Sequence, residues 1–316
     1  MYEQLLSLED LTINFDASGT HIVNIILAII MFGVALEIKV SDFKRIFSHP
    51  KSLFIGLSSQ LILLPVITFV IVAVGYHFIT PSVAMGMILV SACPGGNMSN
   101  FLTALAKGNT ALGVSLTAAT TAMAIFTTPL IFGFWGKMYV IFLNKRSESL
   151  LQPIEISIPH MLFTLCVILI LPLIAGMLFA RKFPNIKEKI TKPIKTLSVV
   201  AFFLILAVAL ANNLDAFFNN LFYIFIIVLI HNGLALAGGF SLAAAFKRTV
   251  PDRRALMIET GIQNSGLGLA LLFNTKIFPE GVVTGGMLFV VAWWGIWHIV
   301  SGLVVAIGCR FKKIPS

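Results

Sequence analysis

The chain has 316 residues, of which 58% are hydrophobic and only 11% charged, and its mean hydropathy is +0.97. Soluble globular domains carry about 25% charged residues, so this composition excludes a soluble enzyme and leaves no room for a separate extramembrane domain; it is that of a polytopic membrane protein. The net charge of +9 arises from basic residues in short loops between apolar runs, a distribution that argues against a nucleic-acid surface.

The first twenty residues are acidic and polar and lack the pattern of a cleavable signal peptide, so the first span is expected to serve as its own insertion signal. Apolar segments of spanning length follow at approximately 21–38, 52–75, 81–107, 110–136, 157–180, 192–212, 217–246, 253–275 and 281–309, which predicts an all-α protein of nine transmembrane helices in a single domain over 1–316. If the N-terminus lies outside, the loops 39–51, 107–109, 181–195 and 247–254 and the tail 310–316 face the cytoplasm. They hold eighteen of the 22 Lys and Arg residues, and only Lys137, Lys145, Arg146 and Lys276 lie outside. That asymmetry predicts an inner (plasma) membrane protein with a cytoplasmic C-terminus. The three cysteines, Cys93, Cys166 and Cys309, have no metal-site spacing and read as structural thiols.

Two spans are interrupted. The third contains Cys93-Pro94-Gly95-Gly96-Asn97-Met98-Ser99-Asn100, where Pro94 removes a backbone donor and clashes with the preceding turn. The eighth contains Glu259-Thr260-Gly261-Ile262-Gln263-Asn264-Ser265-Gly266. With spans 1–4 matched to spans 6–9, the two breaks correspond and the halves are inverted. Broken spans at corresponding positions of inverted repeats are the best sequence pointer to a transporter's binding site. Packing glycines explain either break alone, but less well why both carry Asn and Ser.

Glu259 is the centre of this pattern. A carboxylate at bilayer depth costs at least roughly 2.5–3.5 kcal/mol, and no Lys or Arg falls in the middle of any span to offset it. Either the acid stays protonated and hydrogen-bonded, or its counter-charge arrives from solution. The side-chain oxygens of Gln263, Asn264 and Ser265 and the carbonyls of unwound backbone make a nest suited to a small hard cation. Around the first break, Asn97, Ser99 and Asn100 supply further oxygens, and the fourth span carries the hydroxyl run Ser115, Thr117, Thr120, Thr121, Thr127 and Thr128, most of which reads as helix packing. Gln60, one turn before Pro65, is either a ligand or interhelical glue. His231 reads as structural; His298 is either a hydrogen-bonded core residue or stands near a substrate cavity, and Trp293, Trp294 and Trp297 before it form either an aromatic wall for an amphipathic solute or an interfacial belt. Signatures of hydrolases, metalloproteases and P-loop enzymes are missing, so no enzyme is expected.

The motifs CPGGNMSN and LAKGN, then HNG, ETGIQNSGL and WHIVSG, in this order and spacing from about residue 21 to 310, resemble the bile acid:sodium symporter family. The resemblance implies a fold of two parts. A core of spans about 52–136 and 217–309, with the two discontinuous helices crossing, would face a panel of spans about 21–38, 157–180 and 192–212. It implies two sodium ions. One would be held by Ser99, Asn100, Thr117 and Glu259, the other by Gln60, Glu259, Gln263 and the backbone carbonyls of Thr260 and Ile262. Asn97, Asn264 and His298 match positions lining the substrate cavity. The implied function is sodium-coupled symport of an organic anion, bile-acid-like or a small carboxylate such as pantoate, with proton-coupled or uncoupled export of organic anions or metalloids as the alternative. The implied surroundings are membrane lipid, with no obligate protein partner. Two positions depart from the family pattern. Gly113 stands where a site serine is usual, so that a carbonyl or water would take the hydroxyl's place, and Ile299 stands where a polar residue often follows the last histidine.

Overall fold

A computed structural model of the chain describes residues 1–9, 11, 25, 26, 28, 29, 31–33, 35, 36, 50–96, 98–146, 158–211, 214–274, 277, 278 and 282–311. Most of the expected first span, the loop basic residues Lys39, Lys44 and Arg45, and also Asn97, Lys276, Lys312 and Lys313 lie outside the described residues. Those residues are almost all helical, as an apolar environment demands of backbone that must satisfy its own hydrogen bonds. Among the described residues, four helices are each long and apolar enough to cross a membrane: Pro50–Val74, Thr110–Asn144, Leu214–Ala245 and Gly285–Phe311.

The amino-terminal segment, acidic and polar in sequence, is docked on the helices that follow. Helix α1 (Tyr2–Leu6) has apolar residues one turn apart, and Leu5 and Leu8 are fully buried. Beyond it Glu9 Oε1 accepts hydrogen bonds from Ser82 N (2.9 Å) and Ser82 Oγ (2.6 Å), which sets a carboxylate on the positive end of the helix beginning at Pro81. Asn220 Nδ2 donates to Ser7 Oγ at 3.0 Å, and Gly285 N donates to Leu11 O at 2.9 Å.

Helix α2 (Pro50–Val74) contains a π-helical turn, Ser59–Leu63, just ahead of Pro65. Proline has no N–H to give to the preceding turn, and the wider π turn accommodates the freed carbonyls. It buries Ser59 and Gln60 together. The third span is two helices, α3 (Pro81–Ala92) and α4 (Met98–Leu105), separated where Cys93 goes extended before Pro94. Helix α5 (Thr110–Asn144) is capped by Asn109, whose side chain accepts from Leu112 N at 3.1 Å, and runs eight residues past the expected end at 136.

Helix α6 (Ile158–Leu165) continues through a second π turn, Cys166–Ile170, ahead of Pro172, into Leu171–Lys182. Helices α7 (Pro184–Ala211) and α8 (Leu214–Ala245) follow. The eighth span is again two helices, α9 (Val250–Gly261) and α10 (Ser265–Leu272), and helix α11 (Gly285–Phe311) ends the described chain. Because α9 begins at Val250 rather than 253, Asp252, Arg253 and Arg254 are helical. Arg254, expected in a loop, is buried and donates from Nη1 to Ala106 O at 2.9 Å.

The two breaks meet. Gly95 and Gln263 form an isolated antiparallel bridge, with Gly96 N donating to Ile262 O at 2.7 Å and Asn264 N to Pro94 O at 2.9 Å. Each unwound segment thus supplies the partners that the other lacks, which removes the penalty of bare backbone groups in an apolar interior. Around this point α3 packs on α11 and α9 on α8. Small residues set the approach of α3 and α11: a Cβ on Gly86 would lie 2.7 Å from the Cα of Met287. Elsewhere, Phe32 packs edge-on to Phe179 of the helix Leu171–Lys182 with ring centroids 5.8 Å apart, so Phe32 of the first span lies against that helix.

Candidate functional site

The site grows from the crossing. Helix α9 stops at Gly261 because Ile262 is extended, so its last carbonyls lack the usual helical donors. Ile262 N still makes the last regular bond, to Ile258 O at 2.9 Å, and each carbonyl after it finds a side-chain partner: Glu259 O takes Gln60 Nε2 at 2.6 Å, Thr260 O takes Gln263 Nε2 at 2.8 Å, and Gly261 O takes Asn232 Nδ2 at 2.7 Å. Helix α10 restarts with Asn264 as its cap, Oδ1 accepting from Leu267 N at 3.1 Å.

This accounting orients the two glutamine amides. Because their nitrogens donate to the backbone, their oxygens point the other way, and Gln60 Oε1 and Gln263 Oε1 are buried with no hydrogen-bond partner. Asn100 Oδ1, at the start of α4, is in the same condition. Buried carbonyl oxygens without donors are rare and call for an explanation.

Glu259 lies among them, only 1% exposed. Ser99 Oγ donates to its Oε1 at 2.5 Å and Thr117 Oγ1 to its Oε2 at 2.9 Å. A Cβ on Gly113 would sit 3.3 Å from both Asn100 Oδ1 and Glu259 Oε1, and one on Gly95 would sit 3.0 Å from Glu259 Oε2 and 3.2 Å from Gln60 Nε2. Glycine at these two places leaves room beside the carboxylate, and at Gly113 that room is faced by one charged and one unpartnered oxygen. The ligand chemistry is hard: carboxylate, amide, hydroxyl and backbone oxygens. Among the described residues no cluster of three or more His, Cys, Asp or Glu side chains exists to hold a transition metal. A small hard cation fits such a set.

Of the expected residues, Gln60, Ser99, Asn100, Thr117, Glu259 and Gln263 are brought together around the crossing. The carbonyls of Thr260 and Ile262 are already engaged, by Gln263 Nε2 and Gly96 N, and each keeps one further lone pair. Asn264 is in the break as a helix cap, Asn97 is outside the described residues, and His298 is buried on α11 with Nδ1 unpartnered. Trp293 and Trp297 stand edge-on to Phe225 of α8, with centroids 6.1 and 5.0 Å apart, while Trp294 packs on His231 at 4.8 Å. His231 Nε2 lies 2.7 Å from Thr68 Oγ1, a hydrogen bond that ties α8 to α2.

Three participants were given no role by the sequence. Ser59 Oγ lies 2.7 Å from Thr260 Oγ1, and Asn232 and Ser301 join each other at 2.6 Å behind Gly261. Asn232 stands in the HNG motif, but motif membership does not say which helix it meets.

The model of the Sodium Bile acid symporter family matches residues 24–220. The chain is similar to the Bacillus subtilis protein named "Uncharacterized sodium-dependent transporter YocS", 31% identical over 284 residues, 90% of this chain and 81% of that one. It is also similar to the Arabidopsis thaliana proteins named "Probable sodium/metabolite cotransporter BASS1, chloroplastic", 28% identical over 78% of this chain, and BASS5, 27% identical over 81%. The chain spans only 57% and 61% of the length of those two plant relatives.

Proposed function

The chain belongs to the sodium bile acid symporter family, a family of sodium-dependent transporters, and on that premise we propose that it is a sodium-coupled symporter of organic anions, bile-acid-like or a small carboxylate such as pantoate, working by alternating access. One observation carries the reading. Three buried amide oxygens without donors, those of Gln60, Asn100 and Gln263, belong to side chains that meet at the crossing where the Glu259 carboxylate is buried, and no spanning segment carries a Lys or Arg at its middle to offset that charge. Their unused acceptor capacity and its uncompensated charge are both supplied by an alkali ion.

Two ions divide the donors naturally. Ser99, Asn100, Thr117 and Glu259 would hold one, with the space at Gly113 open to a water where a serine hydroxyl is usual. Gln60, Gln263, Glu259 and the carbonyls of Thr260 and Ile262 would hold the other. Both ions would draw α4, α5, α2 and α9 onto the crossing and fix the angle of the two broken helices. That angle would set the polar face offered to the anion by Asn97, Asn264 and His298, and the positive ends of the α4 and α10 helix dipoles favour negative charge there. Coupling then follows, because each ligand favours the geometry that the other needs.

In this reading the protein has nine spans arranged as an inverted repeat. The core would be about 52–136 and 217–309, and the panel about 21–38, 157–180 and 192–212. It sits in the plasma membrane with the N-terminus outside. The packing of Phe32 on Phe179, which places the first and fifth spans side by side, supports the panel. The burial of the charge and the family's transport role give no reason to expect an enzyme.

Glu259 could instead cycle a proton, since Thr117 Oγ1 has Gly113 O at 3.1 Å as a second acceptor and is able to turn and accept from a protonated acid. Uptake of labelled taurocholate and pantoate into proteoliposomes separates the readings. Uptake is expected to follow an inward sodium gradient and fall to the empty-liposome level when choline replaces sodium. Uptake that follows pH and ignores that replacement would establish the proton-coupled reading instead. Within the sodium site, Gln263→Ala is expected to raise the sodium concentration for half-maximal uptake about tenfold, the lower end for disturbing a metal's immediate surroundings; an unshifted activation curve removes Gln263 from the ligand set.

A further inference from the structure

Asn232 and Ser301 belong to neither proposed ion site nor to the anion cavity, yet both are buried and each touches a functional element. Asn232, fully buried on α8, donates from Nδ2 to Gly261 O, the last carbonyl of α9 before the break, at 2.7 Å. Its Oδ1 accepts from Ser301 Oγ on α11 at 2.6 Å. Ser301 lies 3.2 Å from a second acceptor, the backbone carbonyl of His298 one turn earlier. Gly261 is two residues from Glu259 and two from Gln263, so the chain of contacts runs from the histidine assigned to the anion cavity to the helix end assigned to the sodium ions.

A serine hydroxyl has one proton and here two acceptors on different partners. When it goes to Asn232, the amide is held with its nitrogen on the broken helix. When it goes to His298 O, Asn232 Oδ1 loses its partner and the hold on Gly261 slackens. We propose that Asn232 and Ser301 form a positioning pair that communicates between the His298 wall and the sodium site by fixing the carbonyl end of α9. This rests on the symport reading above. The pair touches neither ion nor anion, and acts by setting where Glu259 and Gln263 stand. The effect belongs in sodium affinity, because a misplaced helix end spreads the ligands, and not in anion affinity once sodium is saturating.

The test measures sodium activation of anion uptake in proteoliposomes for Asn232→Ala, Ser301→Ala and the double variant, with sodium-dependent thermal stabilisation of each purified protein in parallel. Each single variant is expected to raise the half-maximal sodium concentration about fivefold, the lower end of typical coupling between sites. The anion KM at saturating sodium should stay within about twofold, and the double variant should do no worse than the poorer single one, since both cut the same connection. If Asn232→Ala does not fold, Ser301→Ala, which removes one hydroxyl, carries the comparison alone. Wild-type sodium curves in the variants, or single effects that multiply in the double variant, overturn the positioning role. A wild-type protein indifferent to sodium would instead sink the symport reading itself, so the two failures are distinct.

Discussion

Replacing Glu259 by alanine is expected to abolish sodium-stimulated uptake, leaving proteoliposomes no faster than empty ones. The other ligands proposed at the crossing are neutral oxygens, so this side chain supplies all of the negative charge. An ion taken from water into a buried site pays several kcal/mol of desolvation, recovered only through close opposite charge. Losing about 3 kcal/mol of that recovery weakens sodium binding by about a hundredfold. The fold itself should survive. Burial of the carboxylate costs roughly 2.5–3.5 kcal/mol in the first place, and its two donors have other acceptors: Thr117 Oγ1 has Gly113 O at 3.1 Å and Ser99 Oγ lies 3.2 Å from Thr117 Oγ1. Thermal unfolding separates the two effects. In choline the variant should melt at or above the wild-type temperature. In sodium the wild type alone should gain stability, by about 2.7 kcal/mol at a hundred times its Kd. Glu259→Gln keeps the shape without the charge and should behave alike. Sodium-driven uptake by either variant would show that the charge does not neutralise the coupling ion.

Much of this was legible in the sequence, for reasons that differ from residue to residue. Glu259 stands out because charge at membrane depth is costly and nothing basic offsets it. The breaks stand out because Pro94 and the paired glycines act on backbone whatever surrounds them. Thr117 could not be told from its neighbours by residue type. Ser115, Thr117, Thr120 and Thr127 all lie within hydrogen-bond distance of the carbonyl four residues earlier in their own helix, and Thr117 is set apart by also reaching Ser99 and Glu259. The family resemblance, not the hydroxyl pattern, singled it out.

Other features depend on which surfaces meet, and one-dimensional patterning carries little of that. Pro65 forecasts a disturbed helix, but not that the disturbance is a π turn placing Gln60 Nε2 on Glu259 O. The amino-terminal segment reads as polar, yet two leucines and one carboxylate suffice to dock it. Asn232 looked like part of a motif around a histidine, whereas its work is on another helix's last carbonyl.

The crossing itself makes the second large expectation. Gly96→Ala should abolish transport and lower thermal stability, while Gly233→Ala should leave both nearly intact. A Cβ on Gly96 would lie 2.9 Å from Gln263 O and 3.1 Å from Gln263 C, both backbone atoms of the opposing break. Backbone held in a bridge cannot swing aside as a side chain would, so the two segments must separate. The Gly96 N to Ile262 O bond then lengthens from 2.7 Å, and two polar groups lose their partners in an apolar interior. Overpacking of this kind costs about 1–3 kcal/mol, and an unpaired buried group about 1–3 kcal/mol more. Because Gln263 belongs to the displaced segment, sodium affinity and anion transport should fall together even in molecules that remain folded. Gly233, inside α8, has nothing within 4 Å of where its Cβ would go. Alanine there should be neutral or should stabilise the helix by up to about 1 kcal/mol. Measuring melting temperature and sodium-dependent uptake for the pair distinguishes a site built on backbone contact from a helix that merely tolerates glycine. Normal transport by Gly96→Ala would mean that the bridge between the breaks is not needed to hold the ion site together.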